Sequence, residues 1–469
     1  MKKFLSFFLI LTMVLCLNAC APGAPAATEP IPTVEAKMGD GLNVGFAKVD
    51  ITPSYSVGLG GYSDAETRLS QEVVDRIYAT CLAFTEDQQT ILVYTVDSIS
   101  IDRTNAEYFR LWITANTGIP GDNIYFGATH SHSCPAQSGQ YKEDLSGWLV
   151  QAATEALADR SPAALQAAMP EIPGMNFVRH YEMSDGTYAG SNFGDFSKTI
   201  VGHATDSDPR AVLLKFDREE GRRDILMVNW QAHPDSARDI GYNSIAASWV
   251  GPLRNELESL SGMHVAYFTG ASGNQNQSSR IKSESHGLSW RDYGKKMAQL
   301  LNNALPQLAD TESSGIKKSR VMSIANINHD WDHMLEQANE VFELWKTVGK
   351  AEGDALGKTY GFTSTYQARA IITRANMGAA AQLELNVFSI GAIGFTTGTY
   401  EMFSDQGLYV REHSPFDITF IITGNSGYIP SESAYTYRAY EADTGTYAPG
   451  TAEKLAEEYV SMLNALKQA

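Results

Sequence analysis

The chain has 469 residues, a formal net charge of −18 and 43% hydrophobic residues. That acidic excess argues against nucleic acid as a partner and against electrostatic docking on anionic lipid, since both need a basic footprint. Of its four cysteines, Cys16 and Cys20 fall in the N-terminal segment, so Cys81 and Cys134 leave room for one disulfide at most and for no thiolate metal cluster.

Lys2 and Lys3 precede an apolar run over residues 4–17, the length of a signal-peptide core rather than of a bilayer span. The run ends in Leu17-Asn18-Ala19-Cys20, which resembles the bacterial lipobox. The expectation is a signal peptide over 1–19, a lipidated Cys20 holding the chain to the outer face of a bacterial membrane, and a solvated Ala/Pro/Thr-rich tether over 20–40. An ordinary secretory cleavage site is the alternative. The folded body is then 41–469.

Within it, predicted strands cover 43–52, 77–84, 90–96, 123–128, 211–216, 224–230, 264–269, 382–388 and 418–423. Helical periodicity falls over 105–114, 146–159, 247–260, 293–305, 333–346 and 451–466. The alternation is not strict, and several strands follow closely enough to be hairpins. This predicts a mixed α/β fold, with a layered β-sheet and flanking helices, rather than a TIM barrel or Rossmann sheet. The more polar stretch 311–375 shows one helix and few strands and reads as an insertion or lid.

Unusual residues stand where apolar strands end. Residues 123–128 lead into Thr129-His130-Ser131-His132-Ser133-Cys134-Pro135, and 224–230 lead into Gln231-Ala232-His233-Pro234. Residues 265–270 lead into Gly273-Asn274-Gln275-Asn276-Gln277, and 393–398 lead into Thr399-Tyr400-Glu401. Sheets of this kind build sites at strand ends, where the sheet fixes position and the loops carry chemistry. The chain has only ten histidines, so three at two strand ends suggest a metal site; imidazole is the commonest metal ligand, and catalytic zinc takes about three protein ligands.

In order, these segments resemble the neutral, non-lysosomal ceramidases. The likeness begins with Ala47-Lys48-Val49-Asp50-Ile51-Thr52-Pro53 and Gly58-Leu59-Gly60-Gly61-Tyr62. It continues through the double-histidine motif, His233, the Gly273 turn and Glu401, and ends on Tyr428-Ile429-Pro430 and Tyr440-Glu441. The resemblance implies a neutral-ceramidase-like catalytic domain, without the family's C-terminal immunoglobulin-like domain, that binds Zn2+ and hydrolyses an N-acyl substrate. It places the zinc on His130, His233, Glu401 and a tyrosine, with Tyr428 preferred and Tyr435 competing. It puts His132 near the scissile bond, Arg179 at the substrate's polar end and Tyr440 near the substrate. Where the family carries a nucleophilic serine stands Asn276, with Ser278 and Ser279 two and three residues on. Cys134 replaces the motif's glycine.

An amide is not a nucleophile, so water activated at zinc becomes the expected attacking group, with Asn276 donating to the oxyanion and His132 moving the proton. Plainer readings stay open: His132 orienting His130, Glu401 as a helix-start carboxylate, the tyrosines as packing, Arg179 in a surface pair, and Asp97 as a structural cap. A zinc hydrolase of a non-ceramide ester or amide, and a non-catalytic solute-binding lipoprotein, are the alternative functions.

Overall fold

The computed structural model describes residues 36, 38–62, 67–219 and 221–469, which belong to one unit beginning at Glu35. The predicted signal peptide, Cys20 and nearly all of the tether lie outside the described residues. Twelve longer strands organise this unit. They are β1 (Asn43–Asp50), β2 (Tyr78–Glu86), β3 (Gln89–Val96), β4 (Ile124–Ala128), β5 (Ser161–Ala168) and β6 (Val212–Arg218), followed by β7 (Ile225–Trp230), β8 (His264–Thr269), β9 (Ile316–Asn326), β10 (Ala380–Ile390), β11 (Ile393–Gly398) and β12 (Ile418–Thr423).

The first eight form one sheet in the order β8-β7-β6-β5-β1-β2-β3-β4, and the last four form a second sheet in the order β9-β10-β11-β12. Side chains alternate between the faces of a strand, and the inward faces of both sheets are apolar. Val44, Phe84, Tyr125, Phe216 and Phe268 from the first meet Phe388, Phe395, Phe420 and Ile422 from the second in one buried cluster. Tyr125 stacks on Phe388 with ring centroids 4.6 Å apart.

Helices cover both outer faces. Helices α1 (Arg103–Thr117) and α2 (Gly139–Ala158) pack on β1–β4, while α3 (Val250–Ser261) and α4 (Trp290–Ala304) pack on β7 and β8. Helix α8 (Ser404–His413) and the last long helix, Thr451–Gln468, cover the second sheet. The layering is helix, sheet, sheet, helix, in accord with the expected mixed α/β fold.

Most strands pair antiparallel, but β3–β4, β7–β8 and β11–β12 pair in parallel. Parallel neighbours send their C-terminal ends the same way. The segments after β4, β7, β8, β11 and β12 therefore leave at one end of the sandwich. There Thr423 Oγ1 donates to the Thr269 carbonyl at 3.0 Å, and Asn425 Nδ2 donates to the Ala128 carbonyl at 3.0 Å.

The stretch 311–375 departs from expectation. It holds the eleven-residue strand β9 and three helices, α5 (Leu335–Thr347), α6 (Lys350–Thr359) and α7 (Thr365–Ala375). Strand β9 is an edge strand whose Lys317 and Lys318 are exposed. Charge on an edge blocks further pairing and also hides the strand from a hydrophobic-pattern reading. Cys81 and Cys134 are both buried free thiols.

Candidate metal centre

The chain leaves β4 through Thr129 and turns at His130, whose φ of 65° lies in the left-handed region. A non-glycine residue there costs of order 1 kcal/mol and marks a position that its surroundings must hold. His130 Nδ1 lies 2.6 Å from the Ile99 carbonyl, and Arg68 Nη1 donates to the His132 carbonyl at 2.8 Å. Gly61 lies against the His132 ring at φ 99°; a Cβ there would sit 2.8 Å from the imidazole, so Gly61 makes room for the histidine.

His233, past the end of β7, is fixed by its own amide, which donates to the Gln275 carbonyl at 2.7 Å. Its Nδ1 faces the Ser272 carbonyl at 3.4 Å. Only an N–H can bond a carbonyl, so His130, and more weakly His233, carry the proton on Nδ1. Each presents a bare Nε2 lone pair.

Those lone pairs point at one another. The Nε2 atoms of His130 and His233 are 3.0 Å apart, and His132 Nε2 lies 3.0 Å from His233 and 3.4 Å from His130. Three nitrogens about 2.0–2.1 Å from a tetrahedral zinc would be about 3.3 Å apart. Burial disfavours the charged imidazoles, pushing His132 down to about 4 and His233 well below its ordinary value, with neighbouring positive charge adding to the effect. Neutral imidazole is the ligating form.

Glu401 adds a carboxylate. Its Oε2 is buried, receives no hydrogen bond and lies 3.3 Å from His130 Nε2. A buried carboxylate oxygen without a donor, facing His130 Nε2, fits a cation. Glu401 and Tyr428 are register partners in a two-residue parallel ladder, which sets their side chains next to each other. The Tyr428 hydroxyl accepts from Arg179 Nη2 at 3.1 Å. Burial, and then the Glu401 charge, hold the Tyr428 phenol well above its usual range. Tyr435 is elsewhere: its hydroxyl donates to the Tyr447 carbonyl at 2.6 Å.

The structure thus brings His130, His132, His233, Glu401 and Tyr428 to one place. His132, expected near the scissile bond, faces the same point as the other two imidazoles. Tyr440 is adjacent, its ring 6.3 Å edge-on from Tyr428. Asn276 is the bridge partner of His233, and the Arg179 amide donates to the Asn274 carbonyl, so the Gly273 turn joins the histidine side to the arginine side. Arg179, Asn276, Ser278 and Ser279 line one cleft of about 280 Å³. Asp97 is structural: Arg254 grips both its oxygens at 2.8 and 2.5 Å, and both residues are buried.

Three residues were missed as site residues. Glu441, fully buried, accepts from Arg179 Nε at 2.6 Å and pairs with His180 Nε2 at 2.9 Å. Burial would raise its pKa, but Arg179 and His180 outweigh burial and hold it at about 2. Asp235 lies 4.0 Å from His132 Nδ1 and accepts from the Tyr62 hydroxyl at 2.7 Å. Glu441 stands within a quoted motif, Asp235 directly follows the one that ends at Pro234, and His180 directly follows Arg179. An acid or imidazole adjoining a candidate site residue was the available signal.

No family model and no curated protein matches the chain. Among solved structures, it is similar to the crystal structure of neutral ceramidase from Pseudomonas aeruginosa, at TM-score 0.67 and 15% identity over 92% of this chain and 75% of that one. A ceramidase complexed with C2 gives TM-score 0.67 and 16% identity over 92% of this chain and 76% of that one. The fold is neutral-ceramidase-like.

Proposed function

We propose that the chain is a zinc-dependent amidohydrolase acting on an N-acyl substrate. The observation that carries this reading is the convergence of three buried imidazoles on one point at the sandwich end, with an unbonded buried carboxylate oxygen of Glu401 beside His130. His130, His132, His233 and Glu401 would hold the ion, and Tyr428, beside Glu401, is the next donor. Bound zinc supplies Lewis acidity there, polarising a carbonyl and acidifying water. The likeness of fold to ceramidases supports the choice of an amide as the bond cleaved.

The remaining steps fall to the chain's own side chains. Asn276, next to His233 and on the cleft, donates its amide to the substrate carbonyl oxygen as charge gathers there. With no hydroxyl at that position, water is the attacking group. Asp235 stands beside His132 Nδ1, where it receives or returns a proton during departure of the amine. Arg179, anchored by Glu441, holds the Tyr428 hydroxyl in place. A chromogenic N-acyl amide assay tests the reading: hydrolysis should be abolished by chelation and restored by zinc. Hydrolysis indifferent to a chelator that strips the protein of metal contradicts it.

A further inference from the structure

The cleft beside the histidines is polar. Asn276, serine side chains, the rings of Tyr181 and Phe196 and two guanidinium groups, those of Arg179 and Arg280, line it, and no aliphatic side chain does so among the described residues. Two hydrocarbon chains of a neutral lipid would find little to pack against in such a wall. In a chain with 18 more acidic than basic residues, arginine side chains generally meet carboxylates. Arg280 has no acidic partner among the described residues.

Arg280 is nonetheless held. Its amide donates to the Tyr181 hydroxyl at 2.9 Å, and its guanidinium lies 3.9 Å over the Phe196 ring. On either side of it, Ser279 Oγ accepts from the Ile281 amide at 2.9 Å and lies 3.2 Å from His203 Nε2. His203 Nδ1 is in turn 2.6 Å from the Val178 carbonyl, so the Ser279 hydroxyl donates to a bare Nε2. The loop is pinned on both flanks, and the charge it presents is uncompensated. Arg179 differs, since its Nε and Nη2 are already engaged by Glu441 and Tyr428.

We propose that the cleft selects an acyl substrate bearing an anionic group, a carboxylate or an acidic ester or sulfonate, which Arg280 binds while the amide lies toward the histidines. This rests on the amidohydrolase reading and narrows its substrate class. A planar guanidinium stacked on an aromatic ring is suited to bidentate anion recognition. Because Arg280 is exposed, the preference falls as salt rises.

The test uses the zinc-loaded full chain and three short amphiphiles below their micellar range: N-octanoylglycine, N-octanoyltaurine and the neutral N-octanoylethanolamine. Equilibrium binding and kcat/KM are both measured. The two anions should bind and react about tenfold better than the alcohol, the scale of one charge-assisted hydrogen bond. Arg280→Gln should erase that ratio, Arg280→Lys should keep part of it, and the ethanolamide's own values should not change. If only the taurine or only the glycine compound shows the preference, the anion's source is settled and the proposal stands. Equal binding of all three, or a preference surviving in Arg280→Gln, overturns it. Selective binding without turnover of any compound would overturn the amidohydrolase reading and leave the anion site in place.

Discussion

His130 and His233, separated by 103 residues in sequence, face each other with Nε2 atoms 3.0 Å apart, and each Nδ1 is turned to a backbone carbonyl. Two lone pairs at that distance repel unless a proton or a cation stands between them. Burial disfavours the protonated form of His233. With His132, the pair could hold a metal ion, with Glu401 beside His130 and Tyr428 beside Glu401.

Replacing Asn276 should separate oxyanion support from nucleophilic attack. Asn276→Ala is expected to lower kcat by about 10²–10³ while leaving bound zinc unchanged, the usual effect of removing one oxyanion donor. No acyl-enzyme should accumulate on Ser278 or Ser279. Mass spectrometry of protein quenched during turnover checks this, and an acyl adduct on either serine would transfer the attack to that hydroxyl.

Glu441 makes stability depend on acid pH. Its folded-state pKa of about 2 lies below the ordinary 4.5, so the ionised form is favoured by folding. The contribution is fully present above pH about 4.5 and is lost as pH falls through about 2, with a magnitude on the order of 3 kcal/mol. Glu441→Gln should lower Tm at neutral pH because it leaves Arg179 buried without its counter-charge. The gap between variant and wild type, followed by thermal melts, should narrow from pH 4.5 downward. A gap that stays constant down to pH 2 would show that the carboxylate charge is not what Arg179 needs.

No described helix is long and apolar enough to cross a membrane. We propose attachment through a lipid on Cys20, which Cys20→Ser should abolish, moving processed protein from the membrane to the soluble fraction. Processed Cys20→Ser protein that remains in the membrane at the wild-type level would contradict the lipobox reading.

Much of this architecture was legible because apolar strands announce themselves. Strands such as His264–Thr269 and Ile418–Thr423 match their predicted bounds, and polar residues just past strand ends marked the site. Contacts between distant segments were not legible. Nothing local in Arg179 tells that Glu441, 262 residues away, takes its Nε, or that Arg254 takes Asp97. The left-handed turn at His130 decides where His132 points, and neither residue type nor spacing encodes that angle. Tyr428 and Tyr435 are alike as phenols; only the short ladder to Glu401 and the bond to the Tyr447 carbonyl tell them apart. Strand β9 was missed because its exposed lysines, useful on an edge, break the apolar pattern.

Metal content of the purified protein and of its histidine variants tests the central claim most directly. Elemental analysis after dialysis should find one zinc per wild-type chain and little in His130→Ala, His233→Ala or His132→Ala, each variant remaining folded by circular dichroism. A folded wild-type protein that takes up no zinc when supplied with it, or full zinc occupancy in His130→Ala and His233→Ala, would contradict the account.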